Sequence, residues 1–543
     1  MFILKKYMKK KNIYLIAALA LGSMTFASCD KFLDEMPDNR AEVNNEDKIS
    51  AILVSAYTEN DHLIIAEYAS DNVDDYGENN PYTDRFIDYT YAWKDEVESN
   101  NNSCENFWDG SLNANANANE AIAGIEKIEA GLAHGASLSK TLQECKGEAL
   151  IARAYNYFML ANMFCMPYSP DTAEKNLGLP YLKAPETQLD PKYERGTLAE
   201  LYANIQADIE EALPIIGDSH LKIPKYHWNR KAAYAFAARF YLYTGQYQKC
   251  IDCANVVLGS NPKSQLRDWA KYNSSTNDYD ARCNEFIRAE NNCNLVIATS
   301  YSSIGLAFGP YRVWTRYSHG NYLASNETIR SSNNIWGSYS MFRSLPKVYT
   351  ATNLDRVIWW KIPYKFEYTD PVAGIGFRKA VYPLITTDET LLNRAEAYAW
   401  LGKNNECAAD LNLWMQNITK STKTLTPELI QTFYKGLDYC YSDDKKLKST
   451  RKKHLNPVIG TVTEGSVQES LLQCVLDFRR IETVGQGMRW FDVRRFGIVI
   501  PRRVMNAAGN PEKNTDWLEV NDNRRCFQIP SKVLSAGFEP NPR

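Results

Sequence analysis

Residues 231–245 read KAAYAFAARFYLYTG, and this stretch decides the fold class because its alanines and aromatic residues recur at helical spacing. Residues 148–165 (EALIARAYNYFMLANMFC) and 389–402 (ETLLNRAEAYAWLG) have the same character. Alanines let a neighbouring helix approach closely, and tyrosines fill the gaps between helices. The three stretches therefore predict helices packed inside a mainly α-helical protein.

Two of these stretches end in a glycine that precedes a second amphipathic stretch. Gly245 and Gly402 can each adopt the left-handed conformation that closes one helix and lets the next begin. Helix, glycine turn and helix form the unit of tetratricopeptide-type hairpins, although the units here do not recur at a regular repeat length. The pattern predicts a scaffold of tetratricopeptide-like helical hairpins, over roughly residues 110–258 and 384–500, with little β structure.

The segment between the two groups of hairpins has a different composition. Residues 260–380 are rich in Ser, Asn, Gly and Tyr and show little helical periodicity. A long irregular insertion on a rigid scaffold is a common place for a binding site. We therefore predict a large loop-rich, ligand-binding insertion within one domain that spans residues 29–543.

Composition excludes several classes of protein. The chain has 543 residues, 44% hydrophobic and 12% aromatic, and a net charge of −3. These values are typical of a folded globular protein, and they give no basic field that would gather nucleic acid, so no nucleic-acid partner is expected. The single basic run, residues 445–453 (KKLKSTRKK), is interpreted as a solvated loop, with contact to anionic lipid or polysaccharide as the alternative.

The usual catalytic signatures are missing. The chain has no HExxH, GxSxG, GxxxxGK[ST] or GxGxxG motif, and its six histidines are dispersed. Residues 71–75 (DNVDD) lack the glycine and the terminal glutamate of a known calcium loop. We therefore expect no enzyme activity, no cofactor and no metal. A glycosidase pair of carboxylates, which only folding can bring together, stays open as an alternative.

The first residues have the pattern of an export signal. Five lysines between positions 5 and 11 precede an apolar run at residues 13–21, which is too short to span a bilayer. Cys29 follows Phe-Ala-Ser and resembles the lipidated cysteine of a bacterial lipobox. The sequence thus predicts a signal peptide over residues 1–28 and a lipid anchor at Cys29. Eleven further cysteines, an odd number, cannot all pair within one chain.

Several short motifs follow one another along the chain. They are Cys29-Asp30-Lys31-Phe32-Leu33-Asp34, Trp108 with Ala118-Asn119, Glu148-Ala149 with Arg153-Ala154, Glu389 with Ala395-Glu396-Ala397, Arg480-Ile481-Glu482, Gly487-Met488-Arg489-Trp490-Phe491-Asp492, Ile529-Pro530 and Asn541-Pro542. Together they resemble the SusD/RagB-type nutrient-binding lipoproteins of the Bacteroidetes, over nearly the whole mature chain.

The resemblance implies a function without catalysis. It implies an outer-membrane lipoprotein, exposed at the cell surface and held in the lipid by acylated Cys29, that captures oligosaccharides and delivers them to a SusC-like TonB-dependent transporter. The alternative is an adaptor that mainly closes the transporter, with a peptide or another non-glycan cargo.

Candidate ligand-binding residues follow from the chemistry of sugars. A flat aromatic ring covers the apolar face of a sugar, and polar side chains bond its hydroxyl rim. Aromatic residues bracketed by polar ones in expected loops are Trp93, Trp314, Tyr317 and Trp336, and Asp71 is the polar candidate. We predict that these five side chains contact the ligand.

Two other groups of residues are expected to be structural. The tryptophans on helical patterns are assigned to the core: Trp108, Trp228, Trp400, Trp414 and Trp490. The charged residues of the C-terminal motif are assigned to an ion-pair network: Arg489, Asp492, Arg494 and Arg495.

Overall fold

The computed structural model describes residues 43–77, 80, 82–188, 191–274, 278–309, 315–351, 354–440 and 449–543. Eighteen α-helices lie in these ranges, and about 46% of the chain is helical. Residues 44–543 form one compact unit. The prediction of a mainly α-helical, tetratricopeptide-like fold is confirmed.

Among the described residues, six helices precede the first helical hairpin in the chain. They are α1 (Glu46–Leu53), α2 (Leu63–Ala69), α3 (Arg85–Tyr91), α4 (Cys104–Ala130), α5 (Lys140–Phe164) and α6 (Leu198–Ala212). The side chains of Ser103 and Ser139 cap the long helices α4 and α5, because each accepts a hydrogen bond from a backbone N–H of the first turn. Arg153 on α5 donates to Asp208 on α6 at 2.7 Å, and both are buried. This ion pair fixes α6 against α5.

Two helical hairpins follow the predicted pattern. Helices α7 (Arg230–Tyr243) and α8 (Tyr247–Leu258) form the first. The second comes later in the chain and consists of α13 (Thr387–Trp400) and α14 (Asn404–Ile418). Gly245 and Gly402 turn them with φ values of 74° and 69°, as predicted. Arg239 on α7 donates to both carboxylate oxygens of Glu389 on α13, at 2.7 and 2.6 Å, so a buried ion pair joins the two hairpins.

The other helices lie between and after these hairpins. They are α9 (Trp269–Ser274), α10 (Tyr279–Phe286), α11 (Ile304–Phe308), α12 (Asn321–Glu327), α15 (Pro427–Lys435), α16 (Val467–Thr483), α17 (Arg489–Arg495) and α18 (Ser531–Ser535). Helix α16 packs against α13, α14 and α15 and is buried from Glu469 to Thr483. Its charged side chains must therefore find partners inside the protein. In the part of the chain that the structure describes, no helix combines the length and the hydrophobicity needed to cross a bilayer.

Within the described ranges, nine strands form three small sheets. The strands are β1 (Asp74–Asp75), β2 (Asn294–Tyr301), β3 (Tyr317–Ser318), β4 (Lys347–Ala351), β5 (Leu354–Ile358), β6 (Lys365–Asp370), β7 (Ile375–Thr386), β8 (Ile500–Met505) and β9 (Pro511–Leu518). Their orders are β3-β1-β8-β9, β2-β7-β6 and β4-β5. In the second sheet all pairs are antiparallel, and Tyr301 lies opposite Lys379.

The middle segment, predicted as a loop-rich insertion, also contains short strands. Residues 260–380 contain β2 to β6 and the first part of β7. Residues 365–379, which we call the β-arm, form a two-stranded ribbon whose side chains are mostly exposed on both faces. Residues 365–369 (KFEYT) alternate polar and aromatic residues, but the run is short and stands within a segment of little periodicity, and the strands were not predicted.

The C-terminal segment is part of the core. The Asn541 side chain donates to the carbonyl oxygens of Phe164 and Phe527 at 2.8 and 2.7 Å. Its Oδ1 accepts a hydrogen bond from Arg195 at 2.7 Å. The eleven cysteines from Cys104 to Cys526 are buried free thiols.

Candidate functional site

Trp93 and Tyr317, predicted as exposed ligand contacts, are buried. Trp93 is 4% exposed, and the Arg502 guanidinium lies 3.7 Å from its ring centroid. Tyr317 stacks on Tyr91 with 4.0 Å between ring centroids. The faces that would cover a sugar are thus covered by the protein itself, and the prediction of exposure is wrong for both residues.

Trp336 and Asp71 are also buried. The Trp336 ring is 2% exposed and packs against Phe342 and Phe478, each with 5.4 Å between ring centroids. The Asp71 carboxylate accepts two hydrogen bonds from Arg489, at 2.7 and 3.0 Å. The structure therefore gives these side chains packing and ion-pair roles, which corrects their assignment as exposed ligand contacts. The remaining predicted residues, Trp314 and Cys29, lie outside the described residues and stay predictions.

The predicted C-terminal ion-pair network is confirmed for Arg489, Asp492 and Arg495, and Asp71 belongs to it. The prediction is wrong for Arg494, which donates to the backbone carbonyl oxygens of Asn162 and Cys165 and forms no ion pair with any described residue. Burial raises the pKa of Asp71, but Arg480 and Arg489 lower it more, so that it lies well below its ordinary value. Elsewhere in the network, Arg495 donates to Glu396 at 2.8 Å, and Asp492 accepts from Arg495 at 2.8 Å. Four of the five tryptophans assigned to the core are buried, Trp108, Trp228, Trp414 and Trp490.

The β-arm forms one wall of an open cleft, which we call the polar cleft. Its volume is about 490 Å³. The lining residues are Asp84, Arg85, Phe86, Glu98, Asn100, Asn101, Asn102, Ser302, Ser303, Phe366, Gly376, Phe377 and Arg378. Residues 84–102 contain α3 and precede α4, and Ser302 and Ser303 follow β2. Residues from the N-terminal third of the chain and from its middle segment thus line the cleft together.

Aromatic side chains line the β-arm wall. In the register of β6 and β7, Phe366 lies opposite Arg378 and Tyr368 opposite Gly376, so these four residues share one face. The Phe366 and Tyr368 rings are 4.8 Å apart between centroids. A Cβ on Gly376 would lie 2.0 Å from the Glu367 carbonyl oxygen and 2.9 Å from the Phe366 ring. Only glycine allows this close packing.

These rings are accessible, unlike the predicted ones. Tyr368 is 57% exposed and Phe377 is 44% exposed, whereas Phe366 is half-buried. Phe377 also packs edge-on against Tyr301, with 5.5 Å between ring centroids. The β-arm therefore presents a ribbon of aromatic surface to solvent beside the cleft.

The opposite wall is polar and held in place by its own hydrogen bonds. The Asn102 side chain accepts from the Ser303 N–H at 2.7 Å and donates to its Oγ at 3.2 Å. Arg85 and Glu98 form an ion pair at 3.3 Å. These contacts fix the shape of the wall before any ligand arrives, which lowers the entropic cost of binding.

Two other polar side chains of the cleft are free to form hydrogen bonds to a ligand. The Asn101 amide and the Arg378 guanidinium have no hydrogen-bond or ion-pair partner among the described residues. An amide offers two donors and one acceptor, and a guanidinium offers five donors. The cleft can therefore bond several hydroxyl groups of one ligand. Among the described residues, no group of three or more His, Cys, Asp or Glu side chains is placed to hold a metal ion.

The sequence contained two local signals for this site. The run Asn100-Asn101-Asn102 lies close in sequence to Trp93, the residue that was chosen instead. Phe366 and Tyr368 alternate with polar residues at 365–369 (KFEYT), but they were not predicted as contacts, and their exposure depends on the two-stranded ribbon standing away from the core.

Two family models match most of the chain. Residues 31–242 match a family described as "Starch-binding associating with outer membrane", and residues 360–529 match the SusD family. No curated protein matches the chain.

Solved structures with the same fold cover nearly all of the chain. A SusD superfamily protein from Bacteroides thetaiotaomicron is 19% identical, with a TM-score of 0.63, covering 92% of this chain and 100% of its own. A SusD superfamily protein from Bacteroides vulgatus is 17% identical, with a TM-score of 0.60 and coverages of 92% and 99%. A laminarin-binding SusD-like protein is 15% identical, with a TM-score of 0.51 and coverages of 92% and 99%.

Proposed function

This chain belongs to the SusD/RagB family of outer-membrane-associated proteins, and we propose that it binds a glycan in the polar cleft. The observation that carries the proposal is that one cleft of about 490 Å³ is lined by the aromatic rings of Phe366 and Phe377 and by the unpartnered polar side chains of Asn101 and Arg378. The laminarin-binding SusD-like protein of the same fold supports this choice of ligand class.

The lining of the cleft offers groups for both surfaces of a sugar. Phe366 in the cleft, and Tyr368 beside it on the same face of the β-arm, offer flat faces for the C–H surface of a pyranose ring. Asn101 and Arg378 face the same space with free hydrogen-bonding groups for its hydroxyl rim. Such contacts give modest affinity per sugar, and repeated units along a polymer raise the overall affinity.

We propose that the protein works at the cell surface as part of an uptake system. Its anchor is acylated Cys29 in the outer membrane, and its partner is a SusC-like TonB-dependent transporter that receives the bound oligosaccharide. Family membership and the lipobox-like segment before Cys29 support this part of the proposal.

We propose binding without catalysis. The two carboxylates of the cleft already have structural partners. Asp84 accepts a hydrogen bond from the Ile87 N–H at 2.9 Å as the cap of α3, and Glu98 pairs with Arg85. A glycosidase needs one carboxyl group that can donate a proton and a second that is free to act as base or nucleophile.

Calorimetry on the purified full-length protein tests the proposal. A panel of neutral and acidic polysaccharides is titrated into the protein and into Phe366→Ala and Arg378→Ala. We expect a ligand from the panel to bind, and Phe366→Ala to weaken it on the order of 10-fold because one stacking face is lost. Arg378→Ala removes hydrogen bonds and is expected to weaken binding about 5-fold.

A matched control separates binding from folding. Phe433 on α15 is a partly exposed aromatic residue outside the cleft, so Phe433→Ala is expected to leave affinity unchanged. Equal affinity in Phe366→Ala and the parent protein would contradict the site. Failure to bind any glycan, together with co-purification of a barrel partner, would instead favour the adaptor with a peptide cargo.

A further inference from the structure

A second groove adjoins the polar cleft. Its volume is about 820 Å³, and Asn101 lines both spaces. One wall is a face of α4 that carries Asn106, Gly110, Asn113 and Asn117, and we call this space the asparagine groove. Spacings of four, three and four residues place these positions on one side of a helix, over about 16 Å of its length.

A glycine on α4 lets a neighbouring loop approach the helix closely. A Cβ at Gly110 would lie 2.8 Å from Thr58 Oγ1 and 3.0 Å from Asn60 Oδ1, so the loop that contains these residues approaches α4 most closely there. The Asn60 side chain in turn donates to the Asn101 carbonyl oxygen at 3.2 Å. The loop is thereby fixed at the junction of the two spaces.

The asparagine groove offers neutral hydrogen-bonding groups. The side-chain amides of Asn106 and Asn113 have no partner among the described residues. Two charged residues of the lining are already paired. Asp109 bonds Lys532, and Lys379 bonds Glu367. The carboxylate of Glu59, which is exposed, has no ion pair among the described residues. A ligand of this surface therefore meets amide donors and acceptors beside one negative charge, which disfavours an acidic sugar.

We propose that the asparagine groove binds the continuation of the glycan chain held in the polar cleft, as a segment of uncharged sugars. This inference rests on the proposed function. It adds a second binding site and names the class of ligand as uncharged sugars. The hydroxyl groups of such sugars can bond the amides, whereas the carboxylate of an acidic sugar would first have to lose its water.

Strand β2, which also lines the groove, argues against an extended peptide as the occupant. It is an edge strand, but both ends of its free edge are already bonded. The Tyr301 N–H donates to the Glu59 carbonyl oxygen at 2.6 Å, and the Leu295 carbonyl oxygen accepts from Asn229 at 2.7 Å. Residues 296–300 lie between these two bonds, and alternate residues of a strand point their N–H and C=O groups to opposite edges. Ile297 and Thr299 therefore present theirs at the free edge, on the same side as the Tyr301 N–H, which is a short edge for pairing with the five or six residues of a typical strand.

The test compares oligosaccharides of increasing length. The full-length protein is titrated with neutral β-glucan, α-glucan and mannan oligosaccharides from disaccharide to octasaccharide, and with oligogalacturonides as the charged series. The variant Asn106→Ala/Asn113→Ala removes the two free amides. Its control is Asn405→Ala, an exposed asparagine in the first turn of α14.

We expect the affinity of a neutral series to rise with chain length until both spaces are filled. The double variant is expected to lose on the order of 10-fold in affinity for the longest oligosaccharides, with little change for the shortest. Asn405→Ala is expected to bind all lengths as the parent protein does.

The possible failures are distinguishable. If short oligosaccharides bind through Phe366 but the double variant binds long ones normally, the groove proposal is overturned and the cleft stands. If the double variant weakens the charged series as much as the neutral one, the assignment to uncharged sugars is wrong. If neither series binds the parent protein and an extended peptide does, both the groove proposal and the proposed function fail.

Discussion

The ion pair between Arg239 and Glu389 gives a stability prediction that can be worked from the structure. Their side chains are 2% and 7% exposed, and two hydrogen bonds of 2.7 and 2.6 Å join them. In Glu389→Ala, the buried guanidinium keeps a carbonyl contact to Leu384 at 3.3 Å but loses its counter-charge. We expect the free energy of unfolding to fall by about 3–5 kcal/mol, the usual cost of leaving a buried charge unpaired.

A variant that lacks both charges tests the cause of that loss. Arg239→Met/Glu389→Leu removes both charges, and we expect it to recover most of the stability lost in Glu389→Ala. Unfolding in urea is followed by tryptophan fluorescence. The control pair, Lys249 and Glu210, is about half exposed, so Glu210→Ala is expected to cost less than about 1 kcal/mol. The reasoning is refuted if Glu389→Ala costs no more than Glu210→Ala, or if the double variant is as unstable as the single one.

Three further predictions concern pH, the β-arm and a corrected site residue. Burial raises the pKa of Asp61 to about 6, and ionisation then opposes folding, so stability should fall by about 3 kcal/mol as pH rises from 4 through 6. Asp61→Asn should flatten that fall in urea titrations, and an unchanged slope would contradict the assignment. Gly376→Ala should loosen the β-arm, because its Cβ would meet the Glu367 carbonyl oxygen at 2.0 Å. Hydrogen exchange should then speed up within residues 365–379 but not in α16, and unchanged protection of the arm would count against the close packing. Trp93→Ala should lower the free energy of unfolding by about 3–5 kcal/mol, because the ring packs on Arg502 in the core. A variant of full stability that has lost glycan binding would show that Trp93 is a ligand contact after all.

The features that were predictable from sequence are local ones. The turns at Gly245 and Gly402 depend on residues within a few positions of each other, and the structure has both. The ion pairs of the C-terminal motif were also predictable, because arginines and carboxylates inside an apolar helical pattern must pair when they are buried.

The candidate site was less predictable, because exposure depends on contacts between distant segments. Trp93 has polar neighbours in sequence, yet Arg502, more than four hundred positions later, covers its ring. The basic run at residues 445–453 shows the same effect in its described part, because residues 445–448 lie outside the described residues. The run was interpreted as a solvated loop, but Arg451 pairs with Asp477 at 2.5 Å and Lys453 with Glu327 at 2.6 Å inside the protein. Local composition does not contain this information.

The bond between Arg195 and Asn541 has a consequence for the order of folding. It closes across 346 positions of the chain, and the same asparagine also anchors the end of α5 through Phe164. Contacts between residues so far apart in sequence form late in folding, because closing the long loop between them costs conformational entropy. The end of α5 therefore acquires its full set of contacts only when a segment several hundred positions later in the chain has packed against it.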